Sequence, residues 1–201
     1  AGGVLRLHDG KSPGKVLRRE VRHIHSGKEL LVIQERRVEI LRQGGVERSS
    51  IEVPAGVTAA ARLRDGSLLV GLEDGRLLRV GAGVGARGFG ETDASAVRRI
   101  VEGPRGLLIV GYASGVIGFW SSRGGGRLQH ARLHGAIEVL KLSGQRLYAA
   151  SDLGDTWVGD LSVFSMPYCE LLRQLWQAVP VVWDRGLASR APLPLGHRCA
   201  R

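Results

Sequence analysis

Residues 66–80 read GSLLVGLEDGRLLRV and residues 106–120 read GLLIVGYASGVIGFW. In both, an apolar run meets a glycine-containing turn and a second apolar run follows, and the two stretches lie forty residues apart. The same step extends outward: Val57 opens VTAAARLRDGSLLVGLEDGRLLRV, Val97 opens VRRIVEGPRGLLIVGYASGVIGFW, and Ile137 opens IEVLKLSGQRLYAASDLGDTWVGDL. Leu69-Val70-Gly71 returns as Ile109-Val110-Gly111 and, on a constant period, as Ala149-Ala150-Ser151, while Gly75 returns as Gly115. A more divergent copy begins near Val21, in VRHIHSGKELLVIQERRVEILRQGG. Repetition at such a period marks stacked units, none of which can bury its apolar surface alone.

Each copy patterns as strands. VTAAARL alternates, with Val57, Ala59, Ala61 and Leu63 on one face, as a half-buried strand does. Leu68 to Leu72 is nearly continuously apolar, the pattern of a short strand covered on both faces. Asp65-Gly66, Asp74-Gly75, Ser114-Gly115 and Ser143-Gly144 supply the backbone of tight hairpins. A further strand closes each copy, in Val46 to Val53, around GARGFGET, and in Gly126 to Leu133. Val70, Val110 and Ala149 are expected to be buried in inner strands.

Four short strands in forty residues is the dimension of a propeller blade, and the chain resembles the WD40-type β-propeller family over residues 4 to about 162. The resemblance lies in period and pattern. The family's Trp-Asp dipeptide at the end of the third strand is absent, its places being held by Leu78-Arg79-Val80, Phe119-Trp120 and Trp157-Val158; a Gly-His-like start survives as His134-Gly135. The resemblance implies an all-β chain of four-stranded blades, with a partial blade at 1–19 and further blades at 20–56, 57–96, 97–136 and 137–164.

The ends differ from the repeats. Val4 to His8 and Lys15 to Arg19 pattern as the last two strands of a blade, whose missing half comes either from the C-terminal segment that includes VPVVWD (179–184) or from a longer propeller. Tyr168, Leu171, Leu172, Leu175, Trp176 and Val179 form one helical stripe. A helix is therefore expected near residues 166–178, with Ser165 as N-cap, Pro167 in its first turn and Pro180 ending it, packed on the propeller rim. Residues 165–183 are read as this amphipathic helix and a closing strand, and 184–201 as an extended tail.

A hydrophobic fraction of 43% with 24% charged residues is that of a globular domain. No run approaches the roughly 18 apolar residues of a membrane helix, and no secretory leader opens the chain, so a cytoplasmic location is expected. Cys169 and Cys199 lack metal-ligand spacing and read as free thiols. The net charge is +10, and only four of the 29 basic residues are lysines. Arginine suits carboxylate and phosphate equally, so the bias fits an acidic protein partner or a nucleic-acid surface, or else reflects the codon composition of the source genome.

Catalytic patterns are weak. His23 and His25 share a strand face without further ligands, and His130 and His134 sit in a strand and a turn rather than on a helix. Ser151, Asp152 and Asp155 come near His134 in the folded blade, but no nucleophile elbow accompanies them. GAGVGA at residues 81–86 satisfies a dinucleotide-loop pattern without the helix that must follow it. No catalytic residue, cofactor or metal is expected. By analogy with WD40-like rings, the resemblance implies a non-catalytic protein–protein interaction scaffold, a subunit or module of a larger assembly, for an unidentified protein partner. The alternative is a basic propeller that binds nucleic acid or another polyanion, against which an aromatic content of 5% counts. The candidate contact residues are Arg36, Arg37, Arg98, Arg99, Trp120, Trp157 and Trp176.

Overall fold

The computed structural model describes residues 3–7, 15–21, 23–25, 30–41, 47–81, 84–91, 93–191 and 196–199. They divide into two compact units, Ala1–Gly159 and Asp160–Arg201.

The first unit is built of antiparallel meanders. Gly3–Leu7 (β1) and Lys15–Val21 (β2) pair as a two-stranded antiparallel sheet. The first four-stranded sheet contains His23–His25 (β3), Leu30–Ile33 (β4), Arg37–Leu41 (β5) and Glu47–Glu52 (β6). The second contains Val57–Arg62 (β7), Leu68–Leu72 (β8), Leu77–Gly81 (β9) and Val84–Gly88 (β10). The third contains Val97–Glu102 (β11), Leu107–Tyr112 (β12), Val116–Ser121 (β13) and Arg127–Arg132 (β14). The fourth has three strands, Ile137–Ser143 (β15), Arg146–Ser151 (β16) and Thr156–Asp160 (β17). In every sheet each strand pairs with its neighbour in sequence, as hairpin turns at short intervals dictate.

Alternate residues of β8 point into different interfaces. Leu68 and Val70 join Leu78 and Val80 against Val38 and Val53 of the first sheet's end of the chain. Leu69 and Leu77 join Ala59 against Leu108, Val110, Tyr112 and Trp120 of the third sheet. Both faces of the strand are thus buried, which explains why its sequence does not alternate. Val70, Val110 and Ala149 are all buried, as their strand placement requires.

The period is not constant through the fourth copy. Val57 pairs with Leu72, Val97 with Tyr112, and Ile137 with Ser151. Ser151 therefore corresponds to Tyr112 rather than to Gly111, and Tyr148-Ala149-Ala150 corresponds to Ile109-Val110-Gly111. The cause is a shorter hairpin: five residues separate the paired Arg62 and Leu68, and likewise Glu102 and Leu108, but four separate Leu142 and Leu147. One residue of slip moves every side chain to the other face. The structural register restores Ala149 to the position of Val70 and Val110.

The glycine of the repeated Val-Gly pair has a packing cause. A Cβ at Gly71 would lie 2.3 Å from Val97 Cγ1, and one at Gly111 would lie 2.5 Å from Ile137 Cγ2. Each glycine lets the first strand of the following sheet approach closely. Ala150 holds this position in the fourth sheet.

In the second unit a 3-10 turn at Ser162–Phe164 precedes the helix Tyr168–Ala178 (α1). Pro167 occupies the N-cap, and Ser165 belongs instead to the end of the 3-10 turn, where its hydroxyl donates to the Ser162 carbonyl at 3.0 Å. Val181–Asp184 (β18) and Leu187–Arg190 (β19) then form a hairpin. Its turn residues Arg185 and Gly186 both have positive φ, 49° and 81°, the signature of a two-residue hairpin loop. The part of the tail at 187–190 is therefore a strand, which among the described residues pairs with β18 and no other strand. Cys169 and Cys199 are not free thiols but form a disulfide, their Cα atoms 4.9 Å apart. A separation of 30 residues hides this proximity from the sequence.

Candidate functional site

The arginines singled out by sequence fall into two groups. Arg36 and Arg37 sit at the exposed turn leading into β5, beside Gln34, Glu35, Glu52 and Val53, around a shallow depression of about 390 Å³. Arg37 reaches across the β5–β6 pairing to Glu52 at 2.5 Å. Arg98 and Arg99 instead span the third and fourth sheets. Both guanidinium groups donate to the Glu138 carboxylate, Arg99 at 2.7 Å, and Arg99 Nε also donates to the Glu138 main-chain carbonyl at 2.7 Å. Hydrogen bonding from Arg98, with Arg99 adding to it, holds the Glu138 carboxyl below its ordinary range.

The tryptophans separate in the same way. Trp120 is fully buried in the core between the second and third sheets, its ring 6.0 Å from that of Tyr112. Burial pushes the Tyr112 phenol upward. Trp157 is half-buried, with its ring 6.2 Å from Phe119, and so turns toward the third sheet. Trp176, on α1, lies half-buried with its ring 6.2 Å from His197. Trp120 thus offers no surface to a partner.

His134, Ser151 and Asp155 do come together, but as a turn brace. The His134 main-chain amide donates to Asp155 Oδ2 at 2.9 Å, and the ring Nδ1 lies 3.0 Å from the same oxygen. Those two contacts, the amide first, hold the Asp155 carboxyl below its ordinary range. Ser151 Oγ accepts from the Asp155 main-chain amide at 3.2 Å. The hydroxyl is engaged by backbone while the imidazole faces the carboxylate, so the set lacks the serine–histidine contact of an activated nucleophile. Among the described residues, no group of three or more histidine, cysteine or acidic side chains gathers to hold a metal. The side chains of His23 and His25 lie outside the described residues.

A second surface escaped sequence reading. In the turns at one end of the second and third sheets, Arg64, Arg105 and Arg123, together with Asp65 and Glu102, line an open depression of about 400 Å³. Its carboxylates are engaged: Glu102 accepts from the Arg64 main-chain amide at 2.7 Å, and Asp65 accepts from the Ser67 amide and hydroxyl and from Arg79. The Ser67 hydroxyl above all holds Asp65 below its ordinary range. Arg79 also donates to the Ser122 carbonyl at 2.5 Å, tying the second sheet to the turn after β13. Arg105 has a left-handed backbone, φ 50°, in the 3-10 turn Pro104–Gly106. That conformation is uncommon for a residue with a Cβ. Its signal in sequence is the Pro-Arg-Gly turn, but the three arginines come from three separate loops.

No protein-family model matches the chain, and no curated protein matches it in sequence. Solved structures do match in fold. The computationally designed Ika4 protein superposes with a TM-score of 0.59 at 17% identity, over 69% of this chain and 91% of that one. The computationally designed Ika8 protein gives 0.60 at 17% identity, over 77% of this chain and 51% of that one. A chain from the mitotic checkpoint complex gives 0.65 at 14% identity, over 78% of this chain and 55% of that one. The chain therefore spans about half the length of the two longer matches. Likeness at such identity shows the fold alone, here a propeller-like arrangement of antiparallel sheets.

Proposed function

We propose that this protein is a non-catalytic interaction scaffold of the WD40-like β-propeller type, which receives an acidic protein segment on the surface of Arg64, Arg105 and Arg123. The observation that carries this reading is where the positive charge goes. Arg37, Arg76, Arg79, Arg98, Arg99 and Arg127, six of the 25 arginines, are each paired with a carboxylate of the chain. Arg64, Arg105 and Arg123 gather from three turns around one depression, a compact cluster rather than a continuous track along which phosphates would lie. A neighbour in fold being a component of a multi-protein complex supports the same reading. The setting we favour is an oxidising compartment rather than the cytoplasm, because disulfides such as Cys169–Cys199 persist there.

The test uses two probes at about physiological ionic strength: a glutamate-rich peptide and duplex DNA, each titrated against the chain and against the Arg105→Ala, Arg123→Ala double variant. Peptide binding that the double variant loses, with only weak, salt-labile DNA retention, is the expected result. Tight, sequence-selective DNA binding abolished by Arg36→Ala with Arg37→Ala would replace the reading with a polyanion binder.

A further inference from the structure

We propose that the depression lined by Arg64, Arg105 and Arg123 receives a phosphoryl group, carried on a serine or threonine of the partner segment. This rests on the reading of the depression as a site for an acidic segment, and it names the acid. The three arginines come from the β7–β8, β11–β12 and β13–β14 turns. Among the described residues, none of their guanidinium groups is engaged in an ion pair or hydrogen bond. The two carboxylates beside them are both held, Asp65 by Ser67 and Arg79 and Glu102 by the Arg64 main-chain amide. With Arg79 paired to Asp65, four arginines meet two carboxylates, an excess of two positive charges. A phosphate monoester carries about −2 near neutral pH and balances that excess, whereas one glutamate balances half of it.

The chain itself shows how a carboxylate is shared. Glu138 takes Arg98 on one oxygen and Arg99 on the other, one guanidinium group to each. A phosphoryl group has three terminal oxygens, all strong acceptors, and extends that pattern to three arginines. A neutral donor stands beside them. The Ser122 hydroxyl lines the same depression and has no partner among the described residues. A Cβ at Gly106 would lie 2.3 Å from that oxygen, so the glycine after Arg105 leaves the hydroxyl its place. Arg105 adds a second sign of function: its φ of 50° is a strained conformation for a side chain with a Cβ, and such strain gathers at ligand clamps.

A protein segment suits the depression better than the other carriers of phosphate. Three arginines around one point match a single phosphoryl group rather than the regular succession along a nucleic acid. Anchoring at a lipid headgroup region is helped by apolar side chains that enter the acyl boundary. Among the described residues, no exposed large apolar side chain lies in these three turns.

The test titrates the 201-residue chain against three labelled peptides of one glutamate-rich sequence, whose central residue is phosphoserine, glutamate or serine. Fluorescence anisotropy at about physiological ionic strength reads the affinities. The phosphoserine peptide is expected to bind at least about 10-fold more tightly than the glutamate peptide. Arg105→Gly removes a guanidinium group while suiting the left-handed backbone, so the fold is kept and the preference should be lost. Ser122→Ala should reduce the preference about 3-fold. Equal affinity for the phosphoserine and glutamate peptides, with both lost in the Arg105→Ala, Arg123→Ala double variant, overturns this proposal and leaves the acidic-segment reading standing. Failure of all three peptides to bind overturns both. A preference that survives Arg105→Gly and Arg123→Ala overturns the placement, and tighter binding to phosphoinositide vesicles than to the phosphoserine peptide overturns the choice of a protein segment.

Discussion

The third and fourth sheets are built from the same phrase and bury it differently. All six residues of β12 are buried, whereas β16 alternates between exposed and buried from Arg146 to Ala149. Within the first unit the third sheet packs between the second and the fourth, and among the described residues of that unit no sheet follows the fourth. Burial in this architecture is thus set by the neighbour rather than by the strand. The C-terminal unit is a third case: α1 has no buried residue, and Cys199 and Leu161 are its buried apolar side chains among the described residues. With so little apolar core, its coherence rests more on the Cys169–Cys199 bond.

The largest effect is expected where the comparison is sharpest. Ile109 and Tyr148 occupy equivalent positions, one fully buried and one 39% exposed. Ile109→Asp places an unpaired charge between two sheets and should cost about 4 kcal/mol or more. Tyr148→Asp should cost about 1 kcal/mol or less. Urea unfolding of both variants checks this, and equal losses would remove the claim that neighbours set burial.

Opening the disulfide comes next. The separation of 30 residues predicts a loss of about 3–4 kcal/mol from the unit that contains it, on the chain-entropy account. Cys169→Ser should therefore diminish the helical signal of α1 at a temperature where the strand signal of the first unit is intact. Simultaneous loss of both signals would mean that the two units unfold as one.

A smaller effect separates two turn glycines of nearly equal φ. Gly115→Ala combines left-handed strain with a Cβ pressed on the Leu133 carbonyl, about 3 kcal/mol in all. Gly154→Ala carries the left-handed strain alone, about 1 kcal/mol. Thermal unfolding midpoints should fall in that order.

Much of this was legible in the residues. The apolar runs and Gly-containing turns around Leu69 and Ile109 announce short strands in hairpins, because chain reversal and two-sided burial each demand particular residue types. The strand pair β1–β2, the fourth strands β6, β10 and β14, and the helix before Pro180 follow in the same way. The slip in the fourth copy was hidden, since Ser-Gly-Gln-Arg is as good a turn as its longer equivalents and only strand pairing counts its residues. The disulfide was hidden for a different reason: proximity across a helix and a tail has no local signature. The arginine depression draws on three loops that touch only after the sheets stack. One contact could have been found earlier. Arg98 and Glu138 are opposite charges at corresponding positions of adjacent copies, forty residues apart, and the repeat itself brings them together.

That contact yields the smallest expected effect and the one whose sign is most constrained. Glu138 is held below its ordinary value of 4.5, with Arg98 as the leading cause. A carboxyl whose folded pKa lies below its unfolded one contributes stability above the unfolded value and loses it as pH falls through the folded one. The Arg98–Glu138–Arg99 bridge should therefore support the junction of the third and fourth sheets at neutral pH and fade below about pH 4.5. Its side chains are partly exposed, so its contribution near neutrality is about 1 kcal/mol or less and shrinks as salt is added. Glu138→Gln should lower stability slightly at pH 7 and then lose less than the parent between about pH 5 and pH 3, so that the two curves converge. Asp65 and Asp155, also held low, fade over the same acid range in both proteins and do not obscure the difference. Curves that stay parallel down to pH 3 would show that the bridge decorates the junction without holding it, and that the stacking of Ile109 and Phe119 against the fourth sheet suffices.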